Sequence, residues 1–353
     1  MRFRTSGLMV AVFILGLLAN ASAAQKAQKK NKPKGPPKPP LGLPAIEWPK
    51  DNPYSPAKAQ LGRLLYFDTR LSSDDTVSCA TCHDPSMAFT DNAPVSTGIG
   101  GQKGGRSAPT VINRAYSTLQ FWDGRAASLE EQAIGPIANP VEMTNIKDPD
   151  KAHAAIVAKL KKIPGYVRRF KRVFGTADFT IEHVGKAIAT FERTVLSGNS
   201  PYDRYKAGDK SALTAAQIRG LKLFEGKAKC AECHSGFNFT DESFVNIGIG
   251  MDKPNPDLGR YVVTKEEEDK GAFKVPTLRE IEHTAPYMHD GSLKTLEEVI
   301  DYYDRGGNKN PHLDERITPL NLTEQEKKDL VEFMKALSGE GWQHIKAPKK
   351  FPK

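Results

Sequence analysis

Apolar residues along this chain recur mostly at three- and four-residue steps, and strand-like alternation is scarce. Thr214-x-x-Gln217 has the form of a capping box and leads a run in which Ile218, Leu221 and Phe224 share a face. Thr323-x-x-Glu326 is a cleaner box, with Leu330, Val331, Phe333, Met334 and Leu337 on one stripe and Gly339 as a stop. Val184 to Leu196 reads as a third helix whose start, near His183, is less sharply marked. Gly98 to Gly105 and Gly248 to Pro256 read as long loops, acceptable where they wrap a ligand. The pattern predicts an all-α protein with long loops.

The ends behave differently from the body. Arg2 and Arg4, the apolar run Met9 to Leu18 and the small residues Ala19 to Ala24 predict a secretory signal over 1–24. That run is too short to span a bilayer and no later one approaches ~18 apolar residues, so no membrane span is expected. Gln25 to Pro40 is rich in Lys and Pro, which predicts a disordered leader over 25–42. The formal charge of +9 belongs to the ends. Two Arg of the signal, six Lys of the leader and four Lys of a basic tail over 341–353 exceed it, leaving the body at about −3. A basic end can meet an acidic partner or surface, but this balance gives no reason to expect nucleic acid binding.

The body repeats itself at long range. Gln60-Leu-Gly-Arg-Leu-Leu-Tyr-Phe67 resembles Gln217-Ile-Arg-Gly-Leu-Lys-Leu-Phe224, and each leads to a Cys-x-x-Cys-His motif, from Cys79 and from Cys230. Ala108-Pro-Thr-Val111 pairs with Val275-Pro-Thr-Leu278. Fourteen residues after each Pro stands Asp-Gly (Asp123, Asp290), and six after each Asp stands Leu-Glu-Glu (Leu129, Leu296). Matching order and spacing predict two similar domains, 43–200 and 201–340.

Cys79, Cys82 and His83, and again Cys230, Cys233 and His234, have the spacing that attaches a haem through two thioethers and ligates its iron through the adjacent His. Rival readings fit less well. A zinc site would need both Cys pairs together although they lie in separate repeats. A thioredoxin-like pair would need a strand–helix setting, and disulfides would not explain the two His. Two covalent c-type haems are therefore expected, and with the signal they imply export to the periplasm. The sixth iron position decides between electron transfer and peroxide chemistry. Met87, Met143, Met251, Met288, His283, His289, Tyr302 and Tyr303 are all open to that role on residue type alone.

Taken in order, CxxCH, APTV, FWDGR, LEEQ, GPIANPVEM, the second CxxCH, VPTLR, APYMHDGS and TLEEV resemble the bacterial di-haem cytochrome c peroxidases and their relative MauG, from about Leu43 to Gly339. The resemblance implies two cytochrome-c-like domains with the haems on opposite sides of their interface, and often a homodimer. The peroxidases carry a distal Met on the second haem in the helix after TLEEV; this chain has Tyr303 there, as MauG has Tyr. Thirteen residues after Asp290 is Tyr303, and thirteen after Asp123 is Pro136, which cannot ligate. The peroxidases cap the first haem with a His in the Gly-rich loop, but the segment GIGGQKGG has Ile99 and no His. An open first haem follows from the resemblance. It also implies that Glu142 is the distal acid–base residue, Gln132 a distal amide that orients peroxide, and Trp122 an aromatic bridge between the haems. A calcium ion is implied as well, held by the carbonyls of Thr284 and Pro286, with Ser107 where the family has Asn.

Three functions remain in view. One is reduction of hydrogen peroxide with electrons from a small c-type cytochrome or cupredoxin. Another is a MauG-like oxidase that uses peroxide to withdraw electrons from a protein substrate. The last is a non-catalytic electron-transfer cytochrome, which would leave Glu142 and Gln132 without a role.

Overall fold

A computed structural model describes residues 35–353, so the signal 1–24 and residues 25–34 of the leader lie outside the described residues. The described chain is mostly helical. Its sheet is one antiparallel pair of two-residue strands, Phe244–Val245 with Phe273–Lys274.

Both capping boxes close. Thr214 Oγ1 accepts from Gln217 N at 3.2 Å while Gln217 Oε1 accepts from Thr214 N at 2.9 Å, starting the helix Ala215–Glu225. Thr323 and Glu326 do the same for Glu324–Lys335, which stops four residues before Gly339. The helix expected over Val184 to Leu196 runs Ile181–Glu192. Its start is set by Thr180, whose backbone N–H donates to His183 Nδ1, a box with His in place of the usual Glu. Two further helices, Pro149–Lys161 and Pro164–Phe174, carry Pro in their first turn, where its missing N–H costs nothing. The Gly98–Gly105 and Gly248–Pro256 stretches hold only a single 3₁₀ turn between them, at Ile99–Gly101.

The repeat reappears as the same helix crossing made twice. Pro56–Tyr66 crosses Ile181–Glu192 at Gly62, where a Cβ would stand 1.8 Å from the carbonyl O of Ala187. Ala215–Glu225 crosses Glu324–Lys335 at Gly220, where a Cβ would stand 2.0 Å from Asp329 O. Four residues on, Tyr66 packs edge-on against Phe191, and Phe224 against Phe333. The equivalent pairs are thus Gly62/Tyr66 and Gly220/Phe224, one position away from the register in which the two sequences look most alike. Gly220→Ala is expected to cost about 1–3 kcal/mol or more, because backbone, not a movable side chain, occupies the space. Denaturant unfolding of the haem-loaded protein checks it, and an unchanged midpoint would refute the crossing.

Buried apolar residues form two clusters. One collects Leu61, Tyr66, Phe89, Ile156, Phe170, Phe179 and Ile188; the other Leu213, Phe224, Phe239, Ile300, Leu330 and Phe333. Trp342 and Ile345 are buried in the first cluster and Phe351 packs on it. The segment 341–353, read from its lysines as a basic tail, therefore returns across the chain to finish the first core. Pro352 O accepts from Arg70 Nη1 and Nη2 at 3.1 Å, and Lys353 O from Gly165 N at 2.7 Å. At the other end, Leu41 O accepts from Asn199 N at 2.7 Å, so part of the 25–42 segment is seated on the same half.

Polar contacts join the halves. Arg106 bridges Asp123 (2.6 Å) and Asp257 (2.6 and 2.8 Å), and Ser107 N donates to His289 O at 2.7 Å.

Candidate active site

Each Cys-x-x-Cys-His motif forms one tight turn: His83 N donates to Cys79 O at 3.0 Å, and His234 N to Cys230 O at 2.9 Å. The imidazoles are then aimed alike. His83 Nδ1 lies 3.3 Å from Phe89 O, and His234 Nδ1 3.0 Å from Phe239 O. A ring that donates through Nδ1 leaves Nε2 bare, the form that binds a metal. Both Phe carbonyls are presented from left-handed residues, with φ of 61° at Phe89 and 53° at Phe239. Thr110 Oγ1 and Thr277 Oγ1 pin the residues before them, donating to Ala88 O (2.7 Å) and Asn238 O (2.6 Å). The two Pro-Thr dipeptides seen in the sequence thus brace the loops that orient the His of each motif.

Burial lowers both imidazoles, favouring the neutral form that ligation needs. Burial also raises the four thiols, Cys82 to about 11 and Cys230 to about 12, so they are held protonated. Paired Cys beside an Nε2-bare His in an apolar cavity are the donor set of a covalently attached haem, and the residues fit that group in both halves.

The residues around the two motifs differ. A smaller cavity holds Cys79, Cys82, His83, Gln132, Pro136, Glu142, Met143 and Glu192. Glu142 takes a 2.5 Å hydrogen bond from Asn139 Nδ2 on Oε1, and burial raises its carboxyl above the ordinary range against the pull of Arg125 and Asn139. Ile99 is buried and donates its backbone N–H to Glu142 O at 2.9 Å; it does not line this cavity. Glu192 was not legible as a site residue, because it continues an apolar helical stripe. It is 4% exposed, its Oε2 has no hydrogen-bond partner among the described residues, and burial pushes its carboxyl up to about 8.

A larger cavity holds Cys230, Cys233, His234 and Tyr303 together with Trp122, Ser107, Thr284 and Pro286. Tyr302 and Tyr303 part company here. The Tyr302 hydroxyl donates to Ile247 O at 2.7 Å and accepts from Asn308 N at 3.1 Å, so it is committed to the fold. The Tyr303 hydroxyl forms no hydrogen bond among the described residues, and burial, with smaller contributions from Cys230, Cys233 and Tyr302, raises its phenol, a cost that bonding to a cation would reverse. Met288, His289 and Met334 also line this space, whereas Met87 and His283 are largely exposed. Trp122 stands at the seam between halves: its Nε1 donates to Ser107 O at 2.8 Å and its carbonyl accepts from Lys274 N at 2.8 Å.

A family profile described as di-haem cytochrome c peroxidase matches residues 56–211. The methylamine utilization protein MauG of Methylorubrum extorquens is 44% identical over 299 residues, covering 84% of this chain and 82% of its own. The chain belongs to the di-haem cytochrome c peroxidase and MauG family. A cytochrome-c peroxidase, IdrP1 of Pseudomonas sp. strain SCT, is 40% identical over 326 residues, covering 84% of each chain. Among solved structures, a MauG-like protein associated with microbial copper homeostasis superposes with a TM-score of 0.76 at 36% identity, covering 89% of this chain and 97% of that one. As a member of a family of di-haem peroxidases the protein is an enzyme with haem c cofactors, which sets aside the non-catalytic carrier. Among the described residues no helix is long and apolar enough to cross a membrane.

Proposed function

We propose that this is a periplasmic, MauG-like di-haem oxidoreductase of two cytochrome-c-like domains. Hydrogen peroxide meets an open first haem on His83, and charge is exchanged through a second haem held by His234 and Tyr303. The observation that carries this reading is an inequality at matching positions: Pro136, with no donor, lines the first cavity, and Tyr303, with an uncommitted phenol, lines the second.

Reduction of hydrogen peroxide to two waters takes two electrons and two protons, and bound haem supplies the electrons. The chain supplies position and protons. Gln132 holds peroxide by its amide; Glu142, poised by burial, takes the proton from the near oxygen and returns it to the leaving one. Asn139 keeps the carboxyl aimed. Trp122, fixed between Ser107 and Lys274 at the seam, offers an aromatic step between the halves. A calcium ion at Ser107, Thr284 and Pro286 would rest on neutral oxygens, since no cluster of three acidic, His or Cys residues exists among the described residues, and such a site binds weakly.

A second reading, reduction of peroxide with electrons from a small c-type cytochrome or cupredoxin, is supported by the 40% identity to a cytochrome-c peroxidase. One equivalent of hydrogen peroxide added to the resting enzyme separates the two. A spectral change that persists without donor and is drained by a protein substrate is the expected result. Rapid return on adding reduced cytochrome would give the second reading, and no change at all would remove both.

A further inference from the structure

Two cations, Arg114 and Lys274, line the larger cavity, and of the two only Lys274 is paired with a carboxylate among the described residues. Lys274, on the second short strand, has a side chain 4% exposed and its Nζ 3.0 Å from Glu242 Oε1. Arg114 comes from the other half of the chain. Its Nε and Nη2 donate to Gln120 Oε1 at 3.0 and 2.8 Å, and Nη2 also to Leu119 O at 3.1 Å, all of them uncharged acceptors. Its Nη1 forms no hydrogen bond, and no carboxylate pairs with it, among the described residues. Glu242 is further shared, accepting from Ser117 Oγ at 2.9 Å and Thr118 N at 3.3 Å. Burial and Arg114 together push Lys274 down to about 7, the mark of a positive charge short of a counter-ion. Two desolvated cations with one paired carboxylate leave the wall of an apolar cavity one negative charge short.

We propose that Arg114 and Lys274 seat a carboxylate of the haem attached at Cys230 and Cys233, so that a cation from the first half clamps the cofactor of the second. The inference rests on the haem-binding part of the proposed function and is independent of whether Tyr303 ligates. The cavity lining supports the assignment, because Arg114 and Lys274 share it with Cys230, Cys233 and His234 and do not line the cavity of His83. A paired propionate beside two cations stabilises the reduced haem, which carries one positive charge fewer. Both residues are positioning residues.

The test is a spectroelectrochemical titration of each haem in the holoenzyme, comparing wild type with R114Q, K274Q and R114K. In R114Q and K274Q the reduction equilibrium of the His234 haem is expected to fall about tenfold, which is 59 mV for a one-electron couple. R114K, which keeps the charge and loses the fork, should fall less, and the His83 haem should move least. Unchanged equilibria overturn the proposal, and so does a shift confined to the His83 haem. Should R114Q fail to fold, K274Q and R114K decide in the same way. Loss of Tyr303 ligation would show as a spin-state change in Tyr303→Phe, so the two failures are distinguishable.

Discussion

Glu142→Gln is expected to slow peroxide consumption by ~10²-fold or more while the absorption spectra of both haems stay as they are. Gln keeps the oxygen that accepts from Asn139 at 2.5 Å, so the side chain remains aimed and only the proton is lost. The pH dependence carries a second signature. A base acts in its ionised form, so turnover is high above the pKa of Glu142 and falls as pH drops through it. Burial raises that pKa, which puts the acid limb above the ordinary glutamate value of ~4.3. In Glu142→Gln the limb disappears with the rate. A stopped-flow profile of peroxide consumption against pH measures both, and unchanged turnover would take Glu142 out of the chemistry.

Tyr303→Phe is expected to convert the second haem from low spin to high spin in the resting ferric protein. The phenyl ring keeps the packing and removes the oxygen proposed as ligand. Phenolate also holds ferric iron better than ferrous, so the variant's second haem should be easier to reduce. Tyr302→Phe is the matched control. It removes a hydroxyl bonded to Ile247 O and Asn308 N, so it should cost about 1 kcal/mol of stability and leave the spin state alone. Electron paramagnetic resonance of the three proteins decides. The first haem is read in the same spectra: a low-spin signal from it in wild type would mean that a residue such as Met143, which lines its cavity, closes the open position.

The parts of this site legible in the sequence are those whose chemistry is set by local spacing. Cys-x-x-Cys-His needs only five residues to announce a haem, and Thr-x-x-Gln or Thr-x-x-Glu only four to start a helix. Where the determinant is an absolute burial or a distant partner, the sequence is silent. Glu192 ends a helix and Glu142 sits in a turn, and only packing shows that both line the cavity of the first motif. Arg114 and Lys274 become a pair only when strands and turns 160 residues apart share one wall. Tyr302 and Tyr303 are adjacent and chemically identical; the choice between them without a family to consult comes from which hydroxyl the backbone has already claimed. The register of the repeat in the structure differs by one residue from that of the best sequence match for a related reason. Letter-by-letter similarity aligns Phe67 with Phe224, whereas the close approach at Gly62 and Gly220 aligns Tyr66 with it.

The seating of Trp342, Ile345 and Phe351 in the first cluster bears on the order of assembly. A chain delivered N-terminus first exposes the His83 motif early, yet the core behind that motif stays incomplete until residues 342–351 arrive. The second cluster, whose buried members run from Leu213 to Leu337, has all of them before then. The half that is made first is thus completed only once residues 342–351 are in place, which makes that segment the latch of the half that carries the His83 motif.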